Sequence, residues 1–299
     1  MEENRVQGQI QHQKRAGMVE MSDGAYLYTE LWGEEKQEGI TLVCIPGFCC
    51  TTSFFENNVP RLSKTHPVLV YDPRGQGNSS KGLQGHTVAR NAADLKELLE
   101  HFKIKQAVVI AWSMAGQFIM EYVHAYGEEN LAGIVLADCP LHAMGEEPWN
   151  AHGLKGSNMD HFNAHLCRSY NHWEEYCRDF AVKIWGGIDE GRIDWAAAEF
   201  TKTPPWIAFA IYSDMVYRNS YPYLEQTTVP MLFTGANSRV TENGIELARK
   251  WYPGARKAGL VTKVCTFDKG GHVFFHQESE KFNAAVLSFV KNLKGARRH

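Results

Sequence analysis

Ser113 stands where an apolar run changes abruptly into a helix-like segment. The run Val108-Val109-Ile110-Ala111-Trp112 leads directly into it, and Met114-Ala115-Gly116-Gln117 follows at once. A sharp strand-to-helix turn exposes a serine hydroxyl at the carboxyl edge of a sheet, where the helix N-terminus favours developing negative charge. The turn also needs small neighbours, and Ala111 and Ala115 provide them. The pattern predicts a nucleophilic serine, although an ordinary strand–helix junction remains an alternative for this motif alone.

A histidine and a second turn complete the chemistry that such a serine would need. His272 follows two glycines on a loop after a late strand-like run, and histidine is the usual general base for a hydroxyl proton. The segment Cys44-Ile45-Pro46-Gly47-Phe48 ends an earlier strand-like run in a turn that can aim the backbone N–H of Phe48 at the serine. Together with the N–H of Met114, it would form the donor pair that acyl transfer requires.

The elements that must position these residues alternate between strands and helices. Continuously apolar runs are typical of strands covered on both faces, and they lie at 25–32, 40–46, 67–71, 107–111, 133–138, 229–235 and 261–267. Amphipathic or apolar helical segments are predicted at 87–102, 114–126, 245–252 and 278–293. This alternation predicts an α/β fold with a parallel sheet and right-handed crossovers.

The alternation stops between residues 141 and 226. No strand of the parallel type is visible there, and aromatic residues are frequent. We expect this segment to form short helices that cap a core domain made of residues 18–140 and 227–299. Residues 1–17 are expected to be a flexible N-terminal extension that contains neither a secretory signal nor a membrane anchor.

Composition argues against several classes of function. The net charge is −3, from 31 basic and 34 acidic residues, so no nucleic-acid surface is expected. No apolar run has the length of a transmembrane helix, and no membrane partner is expected. The seven cysteines include no C-x-x-C pair and suit buried positions in a reducing compartment, which favours the cytoplasm. The expected partner is a small-molecule substrate, and a homodimer is left open.

Four motifs in this order resemble the α/β-hydrolase superfamily, in particular its branch of non-haem haloperoxidase-like esterases. They are Pro-Gly-Phe at 46–48, Asp-x-x-Gly-x-Gly-x-Ser at 72–79, the serine turn at 111–115 and Gly-Gly-His at 270–272. The resemblance covers residues 24–293. It implies an α/β-hydrolase fold with a mostly parallel eight-stranded sheet flanked by helices and a helical cap insertion.

The resemblance also implies roles for individual residues. Ser113 would attack a carbonyl, His272 would take its proton, and the backbone N–H groups of Phe48 and Met114 would hold the oxyanion. It further implies that no metal and no organic cofactor is needed.

The acid of the catalytic triad is where this sequence departs from the family pattern. The family usually has an aspartate after the strand that follows the cap, and Ser238 stands at that place here. Asp138 ends the strand directly after the nucleophile helix, and in a parallel sheet that strand end lies at the serine's edge. We therefore predict Asp138 as the acid, with a structural capping role as its alternative. Glu242 and Asp268 are weaker candidates.

The side chains around the serine bear on the substrate. We predict that some rings of the cap face Ser113, and that the substrate is small and mainly apolar or aromatic. The residues predicted to bind it are Trp112, Cys49, Trp185 and Trp206.

Three functions remain in competition at this point. The first is hydrolysis of an ester, lactone or thioester through an acyl-enzyme, with hydrolysis of a carbon–carbon bond as a variant. The second is a cofactor-free dioxygenase in which His272 and Asp138 deprotonate an aromatic substrate. The third is a non-catalytic ligand-binding protein on the same scaffold.

Overall fold

Eight strands make up a single sheet. The computed structural model describes residues 14–33, 39–146, 159–185, 189–236, 263–267 and 270–296. Within these ranges the strands are β1 (Lys14–Glu20), β2 (Tyr26–Trp32), β3 (Thr41–Ile45), β4 (Val68–Tyr71), β5 (Ala107–Trp112), β6 (Leu131–Ala137), β7 (Met231–Ala236) and β8 (Lys263–Phe267).

The strand order across the sheet is β1-β2-β4-β3-β5-β6-β7-β8. Strand β2 runs antiparallel to both of its neighbours, β1 and β4, and every other neighbouring pair is parallel. Strands β3 to β6 are buried along their whole lengths, as expected for strands covered on both faces. The predicted mostly parallel, eight-stranded sheet is confirmed.

Helices flank the sheet and fill the segment between β6 and β7. They are α1 (Val59–Leu62), α2 (Val88–His101), α3 (Ala115–Tyr126), α4 (Met159–Asn171), α5 (Trp173–Trp185), α6 (Glu190–Thr201), α7 (Pro205–Tyr217), α8 (Tyr221–Gln226), α9 (Phe274–Gln277) and α10 (Ser279–Ala296). Among the helices that the structure describes, none has the length and apolar character needed to cross a membrane.

The direction of the chain through the sheet fixes where a ligand can bind. The chain moves one way along the sheet from β3 to β4, and the opposite way from β4 to β5 and from β5 to β6. Because crossovers between parallel strands are right-handed, α1 lies on one face and α2 and α3 lie on the other. The reversal makes the carboxyl ends of β3 and β5 a topological switch point, where open α/β sheets bind their ligands.

Individual residues explain where α2 begins and how α10 packs on the sheet. Helix α2 begins after Thr87, whose hydroxyl accepts a hydrogen bond from the N–H of Arg90 at 3.1 Å, a capping arrangement that replaces a missing helical partner. Helix α10 packs on α1 and on β6. Its Phe289 ring fits against Gly133, where an added Cβ would lie 3.0 Å from the ring carbon Cζ. A larger residue at 133 would push α10 away from the sheet.

The segment between β6 and β7 is helical, as the sequence indicates. Helices α4 to α8 occupy it, and its described residues form no strand. The helix predicted at 245–252 lies outside the described residues.

The expected N-terminal extension is wrong for residues 14–17. They belong to β1, which pairs with β2 from Lys14 opposite Trp32 to Glu20 opposite Tyr26. Only Val19 of this strand is buried. A strand at the edge of a sheet with one buried side chain has no alternation of polar and apolar residues, so its sequence carries no strand signal.

Asp72 organises the glycine-rich turn that follows β4. Its carboxylate accepts hydrogen bonds from the backbone N–H groups of Thr52 at 2.6 Å and Asn78 at 2.7 Å. Gly77 has a φ of +49°, and a Cβ there would lie 2.2 Å from Asp72 Oδ2. Burial raises the pKa of Asp72 from 3.8 to about 6, against the opposing effect of these hydrogen bonds. Asp72 therefore couples the stability of this turn to pH.

We expect Asp72→Asn to change how stability depends on pH. Because the folded-state pKa of Asp72 lies above its unfolded value, its favourable contribution is complete below pH 3.8 and is lost as the pH rises through 6. Asparagine does not titrate, so the stability of the variant relative to wild type should increase by about 2 kcal/mol between pH 4 and pH 7. Urea unfolding of both proteins at several pH values measures this. A difference between the two proteins that is constant with pH would contradict the expectation.

Candidate active site

Ser113 occupies a strained turn between β5 and α3. Its φ is +57°, in the left-handed region that is costly for a residue with a Cβ. The backbone holds it there on both sides, because its N–H donates to the carbonyl of Ala137 at 2.9 Å and its own carbonyl accepts from Gly116 at 3.0 Å. Gly116 is needed for this turn, since a Cβ there would lie 2.4 Å from that of Cys139. The serine hydroxyl is thereby fixed at the carboxyl edge of the sheet.

Two short hydrogen bonds connect Ser113, His272 and Asp138. The distance from His272 Nε2 to Ser113 Oγ is 2.7 Å, and that from His272 Nδ1 to Asp138 Oδ2 is also 2.7 Å. The side chains of His272 and Asp138 are only 2% and 0% exposed, so water does not screen their interaction. The structure thus brings the predicted nucleophile, base and acid into one line.

The acid reaches this line from the end of β6, the neighbour of β5. Asp138 follows the last residue of the strand with a φ of +52°, and its N–H donates to the carbonyl of Thr234 in β7 at 2.9 Å. A positive φ is a strained conformation for a residue other than glycine, and it occurs here at the residue whose carboxylate is hydrogen-bonded to His272. The other positions considered for the acid, Ser238, Glu242 and Asp268, lie outside the described residues.

The turn after β3 lies directly against the serine. A Cβ on Gly47 would be 2.9 Å from Ser113 Cβ and 3.4 Å from Ser113 Oγ, so only glycine permits this approach. In the part of the chain that the structure describes, no backbone carbonyl accepts a hydrogen bond from the N–H of Phe48 or of Met114. Phe48 follows Gly47 and Met114 follows Ser113 in the chain, so both N–H groups belong to residues next to this close approach.

Aromatic side chains from the inserted helices lie beside this turn. The Phe48 ring contacts Phe180 of α5, with 5.9 Å between ring centroids, and Tyr212 of α7, at 5.2 Å. Tyr176 stacks on Phe180 at 6.1 Å. Burial raises the pKa values of the Tyr176 and Tyr212 hydroxyls, which therefore remain neutral at physiological pH. The surroundings of Phe48 combine apolar rings with neutral polar groups.

Three of the four residues predicted to bind substrate lie in the buried region around the triad. Trp112 is buried, and its indole N–H donates to the backbone carbonyl of His272 at 3.0 Å. Cys49 is buried with a φ of +57°, and burial raises the pKa of its thiol, which stays protonated. Trp185 is buried and packs edge-on against His276 at 5.4 Å.

Trp206 differs from these residues in burial, and its role in substrate binding stays a prediction. It is 47% exposed on α7. The neighbouring Ile207 and Ile211 are buried instead. Because α7 is apolar on nearly all sides, its sequence does not reveal which side faces the core.

Sequence reasoning did not single out Phe180, Tyr212 or the carbonyl group of Ile184, which accepts the N–H of His272 at 2.9 Å. The aromatic content of the insertion signalled that rings would be present. It could not say which of them meet Phe48, and a backbone carbonyl leaves no signal in a sequence.

Known proteins resemble this chain over most of its length. A match to the family described as the alpha/beta hydrolase fold covers residues 40–279. A non-heme chloroperoxidase of Streptomyces lividans is 29% identical over 151 residues, which are 50% of this chain and 54% of the relative. The chain therefore spans about half the length of the curated relatives it matches.

Solved structures share the whole architecture. A bromoperoxidase from Bacillus anthracis is 21% identical with a TM-score of 0.80, covering 93% of this chain and 100% of its own. An esterase from Exiguobacterium antarcticum is 20% identical with a TM-score of 0.81, again covering 93% of this chain and 100% of its own. At these identities the likeness shows the fold, and the resemblance that the four motifs indicate is confirmed.

Proposed function

The chain belongs to the alpha/beta hydrolase fold family, and from this premise we propose that it is a serine hydrolase that cleaves an ester, lactone or thioester. The observation that carries the proposal is the line of two 2.7 Å hydrogen bonds from Ser113 through His272 to Asp138. A general base within hydrogen-bond reach of a hydroxyl, and itself oriented by a buried carboxylate, is the arrangement that activates a serine.

Acylation follows from this geometry. Ser113 Oγ attacks the carbonyl carbon of the substrate while its proton passes to His272 Nε2. Asp138 accepts the Nδ1–H hydrogen bond and stabilises the imidazolium that forms. The backbone N–H groups of Phe48 and Met114 donate to the oxyanion. The tetrahedral intermediate then collapses, the bond to the leaving group breaks, and the leaving group takes the proton from His272.

Deacylation repeats the sequence with water as the nucleophile. His272 takes a proton from water, whose oxygen attacks the acyl carbon, and the same two N–H groups hold the oxyanion. When the second intermediate collapses, Ser113 Oγ leaves and recovers the proton from His272. The acid is released and the free serine is regenerated.

The surroundings of Phe48 support a small, mainly apolar or aromatic substrate. Phe180 and Tyr212 from the inserted helices meet the Phe48 ring, next to the N–H that we assign to the oxyanion. We propose that residues 141–226 act as a cap over the serine and that the substrate lies between cap and core.

The cysteines also support a reducing compartment such as the cytoplasm, because five of the seven are buried as free thiols.

A cofactor-free dioxygenase is the second candidate, since it would use the same His272–Asp138 pair as its base. One experiment separates the two. Short-chain and aromatic nitrophenyl esters are offered in a sealed cell with an oxygen electrode. A hydrolase releases nitrophenol and acid in equal amounts without oxygen uptake, and burst kinetics report the acyl-enzyme. Oxygen uptake with an aromatic heterocycle, and no ester cleavage, would support the dioxygenase.

We expect Gly47→Ala to lower kcat/KM for such an ester by about 10²-fold, because displacement of reacting groups by around 1 Å has an effect of this size. The new Cβ would lie 2.9 Å from Ser113 Cβ, which forces the Phe48 turn and the serine apart. Gly82→Ala is the matched control, since a Cβ there meets nothing within 4 Å. Equal kinetics for the two variants would show that the turn does not need its close approach to Ser113.

A further inference from the structure

The backbone of His272 is held from both sides by groups outside its own loop. Its carbonyl accepts the indole N–H of Trp112 at 3.0 Å. Its N–H donates to the carbonyl of Ile184, in the last turn of α5, at 2.9 Å. One contact comes from the residue before the nucleophile, and the other comes from the inserted helices.

Trp112 is buried among other aromatic rings. Its side chain is 1% exposed, and its ring packs against Phe54 at 5.4 Å and Phe275 at 4.8 Å between centroids. The same ring lies 5.4 Å from the imidazole of His272. A buried carbonyl that loses its donor is left unpaired at a cost in free energy, so removing the indole N–H favours a displacement of the His272 backbone.

A second link ties α5 to the segment that follows His272. Gln277 of α9 donates its side-chain amide to the carbonyl of Trp185 at 3.1 Å. Its Oε1 lies close to Gly270, where an added Cβ would be 2.4 Å away. The last carbonyls of α5 therefore hold the histidine segment at His272 and again at Gln277.

We infer that Trp112 and Gln277 are positioning residues for the general base, and that the end of α5 is part of its support. The alignment of His272 Nε2 with Ser113 Oγ then depends on α5 remaining docked. A cap that moved away would withdraw the hydrogen bond from the His272 N–H and so weaken the base. This inference rests on the proposed function and adds to it the residues that set the position of His272.

The test compares two tryptophans of one aromatic cluster. Trp112→Phe keeps a ring against Phe54 but removes the N–H that binds His272. Trp195→Phe is the matched control. Trp195 also packs on Phe54, at 4.8 Å between ring centroids, but it is Trp112 whose indole N–H binds His272. The readouts are the rate constant for labelling by a fluorophosphonate, kcat and KM for an ester that wild type cleaves, and Tm.

For Trp112→Phe we expect labelling and kcat to fall by about 10- to 100-fold with KM nearly unchanged, as displacement of a catalytic group predicts. Trp195→Phe should retain both rates. Gln277 is exposed, and Gln277→Leu removes its hydrogen bond to Trp185. We expect this variant to lower kcat by about fivefold, the effect of losing one hydrogen bond.

Three results would overturn the inference. Trp112→Phe could label as fast as Trp195→Phe, both variants could lose rate in proportion to Tm, or Gln277→Leu could retain the wild-type kcat. If Trp112→Phe does not fold, a wild-type kcat in Gln277→Leu would still overturn the inference. Failure of the proposed function looks different, because wild type itself would then neither label nor cleave esters.

Discussion

Replacing Ser113 with alanine is expected to lower kcat for ester hydrolysis by about 10⁴- to 10⁶-fold. The hydroxyl oxygen is the atom that bonds to the acyl group. Its 2.7 Å hydrogen bond with His272 Nε2 is the contact through which the base takes its proton. Alanine fits the same strained turn without a new contact, so the variant should fold. Steady-state kinetics with the best nitrophenyl ester, together with Tm, measure the effect.

The same variant separates the hydrolase from the dioxygenase. If His272 and Asp138 act as a base toward an aromatic substrate, Ser113→Ala keeps that pair intact and should retain much of the oxygen-dependent activity. A Ser113→Ala protein that still cleaves esters within tenfold of the wild-type rate would contradict the acyl-enzyme mechanism.

Asp138→Asn is expected to lower kcat by about 10⁴-fold, the effect found when the acid of a serine triad is made neutral. An amide can present its NH₂ group to His272 Nδ1, which places the proton on Nε2 and removes the base that Ser113 needs. It also leaves no negative charge beside the imidazolium. The change alters one atom at a fully buried position, so the loss of rate should greatly exceed the loss of stability.

Ser238→Ala is the matched control for the acid. Position 238 is where the family pattern places the aspartate, and serine stands there in this chain. If Asp138 is the acid, this variant should retain the wild-type kcat. A large loss in Ser238→Ala combined with a small loss in Asp138→Asn would contradict the assignment.

The sequence alone predicts the central parts of the site because they depend on chain order. An apolar strand, a serine and a helix in succession define the turn at Ser113, whatever surrounds it. Asp138 could be proposed from topology, since the end of β6 must lie beside the end of β5. What topology could not decide was whether its carboxylate faces His272 or caps the next segment. The φ of +52° and the 2.7 Å hydrogen bond are properties of the folded chain.

Other features depend on three-dimensional packing and leave little trace in the sequence. Strand β1 buries one residue and shows no alternation. Helix α7 is apolar on most sides, so the exposure of Trp206 could not be derived. The hydrogen bonds of the His272 backbone with Trp112 and Ile184 join positions far apart in the chain, and both are accepted by backbone carbonyls.

The most direct test of the central claim is covalent labelling of the folded protein with a small fluorophosphonate. Intact mass gives the number of adducts, and peptide mapping gives the modified residue. An activated Ser113 predicts one adduct per chain, located on Ser113, absent from Ser113→Ala and formed far more slowly in Asp138→Asn. No adduct on folded wild type, or an equal adduct on Ser113→Ala, would contradict the assignment of Ser113 as the nucleophile.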